Sequence, residues 1–218
     1  MLTNIPVAND YKNVGVECLV QAYKSIFSID NGELMPDVSR EDIWKYNEIV
    51  LRTSIVLIHQ GIESLLKGKI AEKSPLLIVD QKRAEWKTLP NSGDENFADL
   101  YTIAGNDLLR TFYACISANS ISDDFVTHFE NIRIQRNKIV HGIGSEAINP
   151  DEVLKLILWT FTYLLGQGSF WESYKEKFYS HPGHEVGDME LEDEEVQQYV
   201  HLEYLEAIIG KGELNNHL

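Results

Sequence analysis

Phe125-Val-Thr-His-Phe-Glu-Asn-Ile-Arg-Ile-Gln-Arg-Asn-Lys-Ile-Val-His141-Gly142 reads as a single helix. Phe125, Phe129, Ile132, Ile139 and Val140 recur at helical steps and define the stripe expected to be buried. Ser122 or Asp123 starts the helix. Gly142-Ile-Gly144 stops it, because glycine takes the left-handed conformation that closes a helix without a Cβ penalty.

The same period continues outward. Asn149-Pro150-Asp151 caps and starts a helix to about residue 165, and an aromatic-rich segment from Phe170 to Tyr179 follows. Upstream, residues 97–117 use Leu100, Ile103, Leu108, Phe112 and Ile116 as an apolar face. Ser39 followed by Asp42 opens a long helix over about 40–72, whose stripe runs through Ile43, Tyr46, Val50, Leu57, Ile58, Ile62, Leu65 and Leu66. Ser74-Pro75 ends it, and residues 75–96 are expected to be a connector with one short helix. Tyr11 to Phe27 places Val14, Cys18, Ala22 and Ile26 on one face. His181-Pro-Gly-His184 breaks the pattern, and Val196 to Ile209 forms a last amphipathic helix. Alternating strand patterns are short and rare, and no internal repeat is present. The expected fold is all-α: an antiparallel helical bundle over about 40–165 with additional N- and C-terminal helices. Residues 1–184 are expected to form that helical domain, and 185–218 an acidic segment with the last helix.

Composition narrows the classes. In 218 residues, 44% are apolar, which suits a globular core, while six prolines and fourteen glycines are too few for a collagenous or low-complexity chain. Two cysteines cannot staple a disulfide scaffold. Cys18 and Cys115 sit inside apolar helical patterns and are expected to be reduced, buried thiols of a cytoplasmic protein. The N-terminal stretch has neither a basic region nor a continuous apolar one, so no signal peptide is expected. The most apolar run, Val153 to Leu165, is shorter than the roughly twenty residues a membrane span needs.

The net charge is −15, and residues from Glu185 onward hold ten acidic side chains against Lys211 alone. The far field repels phosphate, which excludes a general nucleic-acid coat. Contact with RNA or DNA has to be local, in a cleft that concentrates a few cations. The acidic segment itself suits solubility, with autoinhibition over a basic site or mimicry of nucleic acid as alternatives.

The helix quoted first carries the chemistry. Arg136 falls where the apolar stripe should continue, four residues after Ile132. A cation there snorkels, pairs or marks a site. Arg133, Asn137 and His141 follow at steps of four and form a polar ladder on an adjoining face. His141 lies in the last turn, where the carbonyl end of the helix favours positive charge. An Arg, an Asn and a His at a helix end suit phosphate handling. Arginine grips phosphate oxygens as a fork, histidine moves a proton, and the amide orients a group. The alternative is that Arg133 and Arg136 pair with carboxylates while His141 caps the helix.

Arg136-Asn137-Lys138-Ile139-Val140-His141 resembles the signature of the HEPN superfamily (higher eukaryotes and prokaryotes nucleotide-binding), an Arg and a polar residue followed by His after four to six intervening positions. Gly61-Ile-Glu-Ser-Leu-Leu-Lys67 through Ser74-Pro75-Leu76-Leu77 is similar to the helix packed beside the motif helix in that family. The likeness covers about residues 40–165. It implies a metal-independent endoribonuclease of toxin–antitoxin, defence or RNA-processing type, acting as a homodimer with a composite cleft. In that cleft the RNA 2′-hydroxyl attacks the adjacent phosphate. His141 would move the proton, Arg136 would stabilise the phosphorane charge, and Asn137 would position the phosphate or the His. Outside the motif, and not carried over from the resemblance, Arg133 would add to the local positive field, and Glu63 would orient His141 if the bundle turns it toward that residue. No cofactor, metal or membrane is implied. RNA would be the substrate, and an antitoxin or regulatory protein is a further expected partner. The alternative within the family is a non-catalytic dimer that binds nucleotide or protein.

Other groups carry less. His181 and His184 with Glu185 and Asp188 have turn spacing rather than metal-ligand spacing. Glu63 and Lys67 are expected to form an i,i+4 surface pair. Trp159, Phe161, Tyr163, Phe170, Trp171, Tyr174 and Phe178 are expected to be core rather than a base-stacking platform. His59, His128, His201 and His217 have no evident partners in the sequence.

Overall fold

The computed structural model describes residues 2–31, 38–82, 93–116, 122–142, 147–179 and 191–218. The chain is all-α: α1 Ala8–Asp30, α2 Arg40–Tyr46, α3 Glu48–Ala71, α4 Gly105–Cys115, α5 Asp123–Val140, α6 Pro150–Leu165, α7 Ser169–Tyr179, α8 Leu191–Ile209 and α9 Lys211–Leu214. Leu2–Thr3 (β1) and Glu95–Asn96 (β2) add a two-residue parallel ladder. Contacts divide the chain into two compact units, Met1–Cys18 with Val56–Gly144 and Leu19–Ile55 with Ser145–Leu218, so α1 and α3 each contribute to both.

The first unit is organised by a close helix crossing. A Cβ at Gly15 of α1 would lie 2.7 Å from Leu65 Cγ and 2.9 Å from the Gly61 carbonyl oxygen of α3. Only glycine admits that approach. Ile58, Ile62, Leu65, Leu66 and Ile70 of α3, Leu108 and Phe112 of α4, and Phe125, Phe129 and Ile132 of α5 are buried. Each such side chain contributes about 1.5–3 kcal/mol through burial.

In the second unit the buried set includes Leu19, Tyr23 and Ile26 of α1, Leu51 and Ile55 of α3, Ile157, Leu158 and Phe161 of α6, and Leu205 of α8. Its polar joints are specific. Asp30 accepts from Arg40 Nε and Nη2 (2.8 Å each), from Trp44 Nε1 (2.8 Å) and from the Tyr204 hydroxyl (2.7 Å). His201 of α8 is buried between Tyr23 Oη at Nδ1 and Tyr174 Oη at Nε2, both 2.8 Å away. His217 Nδ1 meets Thr162 Oγ1 at 2.8 Å, which ties the last turn to α6.

Several boundaries follow their sequence signals. Ser39, Ser122 and Asn149 accept from Asp42 N, Phe125 N and Asp151 N at the starts of α2, α5 and α6, and Gly142 ends α5 at φ 66°. Others depart from expectation. The long helix over 40–72 is broken at Asn47, whose backbone N and side-chain Nδ2 both donate to the Ile43 carbonyl. A short amide that competes for the backbone in this way ends the helix. Residues 97–104 are not α-helical. Asn96 caps a 3-10 turn over Phe97–Asp99, and Asp80 N and Ile103 N bond to Tyr101 O and Ile78 O across a bridge between Val79 and Thr102. Leu100 and Ile103 are buried there without a helix. Val14, Tyr46 and Val140 are exposed, off the buried stripes assigned to them, and Cys18 and Cys115 are free and half-buried rather than buried. The one helix among the described residues with the length and composition of a membrane span is α3 rather than α6, and 61% of that stretch is buried inside the protein, as in a core helix.

Candidate active site

The sequence-predicted residues lie on α5 and α3 within the first unit. Arg136 is half-buried on the same side as Phe125, Phe129 and Ile132. Its Nη1 donates to the Asn137 side-chain oxygen at 2.8 Å. Among the described residues, no carboxylate pairs with it. Arg133 differs. Its Nε and Nη2 both donate to Glu130 Oε2, at 2.9 and 2.7 Å.

His141 is the C-terminal cap of α5. Its backbone N donates to the Asn137 carbonyl at 3.0 Å, and the residue is exposed. It lies five positions after Arg136, about 140° around a helix that turns about 100° per residue. Arg136 and Asn137 are therefore joined within one chain, while His141 lies on a different side of the helix from Arg136.

Glu63 and Lys67 depart from expectation in a consistent way. Glu63 is buried and accepts from Gly105 N at 3.3 Å, and Lys67 Nζ donates to Thr102 Oγ1 at 3.1 Å. Rather than pairing at the surface, the two side chains grip the segment that enters α4. Gly105 itself sits at φ 55°, a conformation natural to glycine. Among the described residues no hydrogen bond or ion pair links Glu63 to His141. Its titratable neighbour is His59, one turn earlier on α3, with His59 Nε2 4.0 Å from Glu63 Oε1.

His59 is the residue the sequence reading missed. It is buried, and its ring stacks on Phe129 with centroids 5.7 Å apart. Burial lowers its affinity for a proton, Glu63 opposes that, Arg136 and Arg133 lower it further, and Glu130 raises it. The only available signal was its position, four residues before Glu63 on a helix buried on nearly every side. His201 and His217 are likewise buried, and His128 is exposed.

Of the aromatic set, Phe161, Phe170 and Tyr174 are buried, while Trp159 and Tyr163 are half-buried and stacked 5.0 Å apart. His181, His184, Glu185 and Asp188 lie outside the described residues, as does the side chain of Phe178. No group of three or more metal-ligating side chains occurs among the described residues. The arrangement is thus an all-α scaffold that presents a fork cation with an amide partner and, at the helix end, an exposed imidazole. No protein-family model, curated protein or solved structure matches the chain.

Proposed function

We propose that the chain is a metal-independent endoribonuclease of the HEPN type that acts as a homodimer in the cytoplasm, in a defence or toxin–antitoxin role. The observation that carries this reading is Arg136: a half-buried guanidinium on the apolar side of α5, with an amide for a partner and no carboxylate among the described residues. A cation held in this way is set to receive an anion, and phosphate is the anion its fork geometry suits. In the reaction the RNA 2′-oxygen attacks the adjacent phosphorus and loses its proton to a base. The P–O5′ bond breaks, and the leaving oxygen takes up a proton. A 2′,3′-cyclic phosphate and a 5′-hydroxyl result. His141 moves the proton, Arg136 meets the charge that builds on the phosphorane, and Asn137 orients Arg136 or the phosphate.

Two features favour a homodimer. Within one chain Arg136 and His141 point to different sides of α5. Val126, Ile134 and Val140 on that helix are 38%, 46% and 57% exposed. Such an apolar rim around the polar ladder favours a partner helix. The test is incubation of the purified protein with total cellular RNA in EDTA, beside His141→Ala. Discrete fragments from the wild type alone are expected. RNA left intact by both proteins would replace this reading with that of a binding dimer, and cleavage lost with chelator would point to a different chemistry.

A further inference from the structure

The buried polar atoms around α5 are not all satisfied, and the exceptions lie on α5 and on α3, which meet where the His59 ring stacks on Phe129. His59 Nε2 on α3 and Glu130 Oε1 on α5 are both buried with no hydrogen-bond partner among the described residues. Leaving one such group unpaired costs about 1–3 kcal/mol. Glu130 is engaged on one side only, because both Arg133 bonds go to Oε2. His59 stacks on Phe129, the residue before Glu130, and lies too far from Glu63 for a hydrogen bond. The charged groups acting on the imidazole are Glu63 from its own helix and Glu130, Arg133 and Arg136 from α5. With His59 neutral, two carboxylates balance two guanidiniums.

An anion held by Arg136 upsets that balance, and one proton on His59 restores it. The imidazolium is then a donor 4.0 Å from Glu63 Oε1, and the unused oxygen of Glu130 is a second acceptor for it to draw in. If the Glu130 carboxylate turns so that Oε2 also leaves Arg133 for the imidazolium, the two Arg133 donors are released. We infer that His59 and Glu130 form a counter-ion exchange: when an RNA phosphate occupies Arg136, Glu130 passes from Arg133 to a protonated His59, and Arg133 becomes a second phosphate-binding residue. This rests on the reading of Arg136 as a phosphate ligand. The proton comes from solvent, and no bond other than N–H is made. Because binding takes up a proton, affinity rises as pH falls.

The experiment uses the full chain with isotopically labelled histidines and a 2′-O-methyl oligoribonucleotide, which lacks the attacking hydroxyl and is not cut. The His59 imidazole is titrated by NMR with and without the oligonucleotide. Its midpoint is expected to rise by about one pH unit or more on binding, a tenfold gain in proton affinity. Arg133→Gln is expected to weaken binding several-fold at about pH 6 and little at about pH 8, the side on which the exchange is disfavoured. His59→Gln flattens the pH dependence, and the wild-type titration decides the matter alone if that variant does not fold. Binding with an unmoved His59 midpoint overturns the exchange and leaves Arg136 as a phosphate ligand. No binding across this pH range overturns both.

Discussion

Arg136 donates to Asn137 at 2.8 Å, whereas Arg133, one turn earlier on the same helix, is held by Glu130 at 2.7 Å. Two arginines three residues apart thus have opposite electrostatic fates. One is neutralised by a carboxylate, and the other keeps its charge beside a neutral amide. Arg136 is half-buried on the side of α5 that carries Phe125, Phe129 and Ile132, where a cation acts on a phosphate with less screening than in water.

From that difference follows the effect of replacing either end of the motif. Arg136→Ala and His141→Ala are each expected to slow RNA cleavage by about a hundredfold or more. The exposed His141 should leave stability within about 0.5 kcal/mol of wild type. Arg136→Lys retains charge but not the fork and is expected to remain slow. Cleavage rates measured beside urea unfolding curves check this. A loss of activity that tracks a loss of stability would contradict it.

The crossing of α1 and α3 gives a prediction of the opposite kind. Gly15→Ala places a methyl group 2.7 Å from Leu65 Cγ and 2.9 Å from a backbone oxygen. The side chain can yield, but the carbonyl cannot without moving the helix. A loss of about 1–3 kcal/mol is expected, read as a lower urea midpoint. An unchanged midpoint would show that the helices part without cost.

Much of this architecture is legible in the residues, and the exceptions have physical causes. The limits of α5 and α6 stand on caps and glycines, which act locally, so Ser122, Gly142 and Asn149-Pro150 locate them. The break at Asn47 is invisible to periodicity because apolar residues continue through it, and only the side-chain bond to Ile43 reveals it. Leu100 and Ile103 keep a helical spacing while their backbone pairs with residues 78–80, a long-range choice that no local pattern encodes. Within the candidate site, Arg133, Arg136, Asn137 and His141 stand out by helical spacing, and the reading of Arg136, Asn137 and His141 as a catalytic set rests on the resemblance of that motif to a family signature. Which arginine is neutralised, and the burial of His59 beside Glu63, depend on how α3 faces α5, and that arrangement is tertiary.

The Asp30 joint yields a stability test. Burial alone would raise its carboxyl pKa, but hydrogen bonds from Arg40, Tyr204 and Trp44, with the Arg40 charge, bring it below the ordinary value. Stability from this group is therefore present above about pH 4 and lost as pH falls through the lowered value. Asp30→Ala leaves the buried Trp44 Nε1 without its acceptor and is expected to cost about 2–3 kcal/mol at neutral pH. Urea unfolding at neutral pH measures it, and a cost under about 0.5 kcal/mol, the range of ordinary surface substitutions, would contradict the assignment.

His201 sets a second pH dependence with its own sign. Burial, with Lys24 nearby, holds the imidazole neutral and pushes its pKa down to about 4. A neutral ring has one donor and one acceptor nitrogen, so one of Tyr23 and Tyr174 donates to it and the other accepts. Between about pH 6.5, the ordinary value, and that lowered value the unfolded chain binds the proton and the folded chain does not, so stability falls on acidification by up to about 1.4 kcal/mol per pH unit for this one group. His201→Gln removes that share of the slope. His59 and His217, both lowered by burial, keep the remainder. Unfolding free energies across this pH window should show a shallower slope in the variant, and parallel slopes would contradict it.

The most direct test of the ribonuclease reading is cleavage of an oligodeoxynucleotide that carries a single ribonucleotide, in EDTA, with the product ends identified by mass. A scission only at the ribonucleotide, leaving a 2′,3′-cyclic phosphate and a 5′-hydroxyl and abolished by Arg136→Ala, is the predicted result. Cutting at deoxynucleotide positions, or products ending in a 3′-hydroxyl and a 5′-phosphate, would contradict the account.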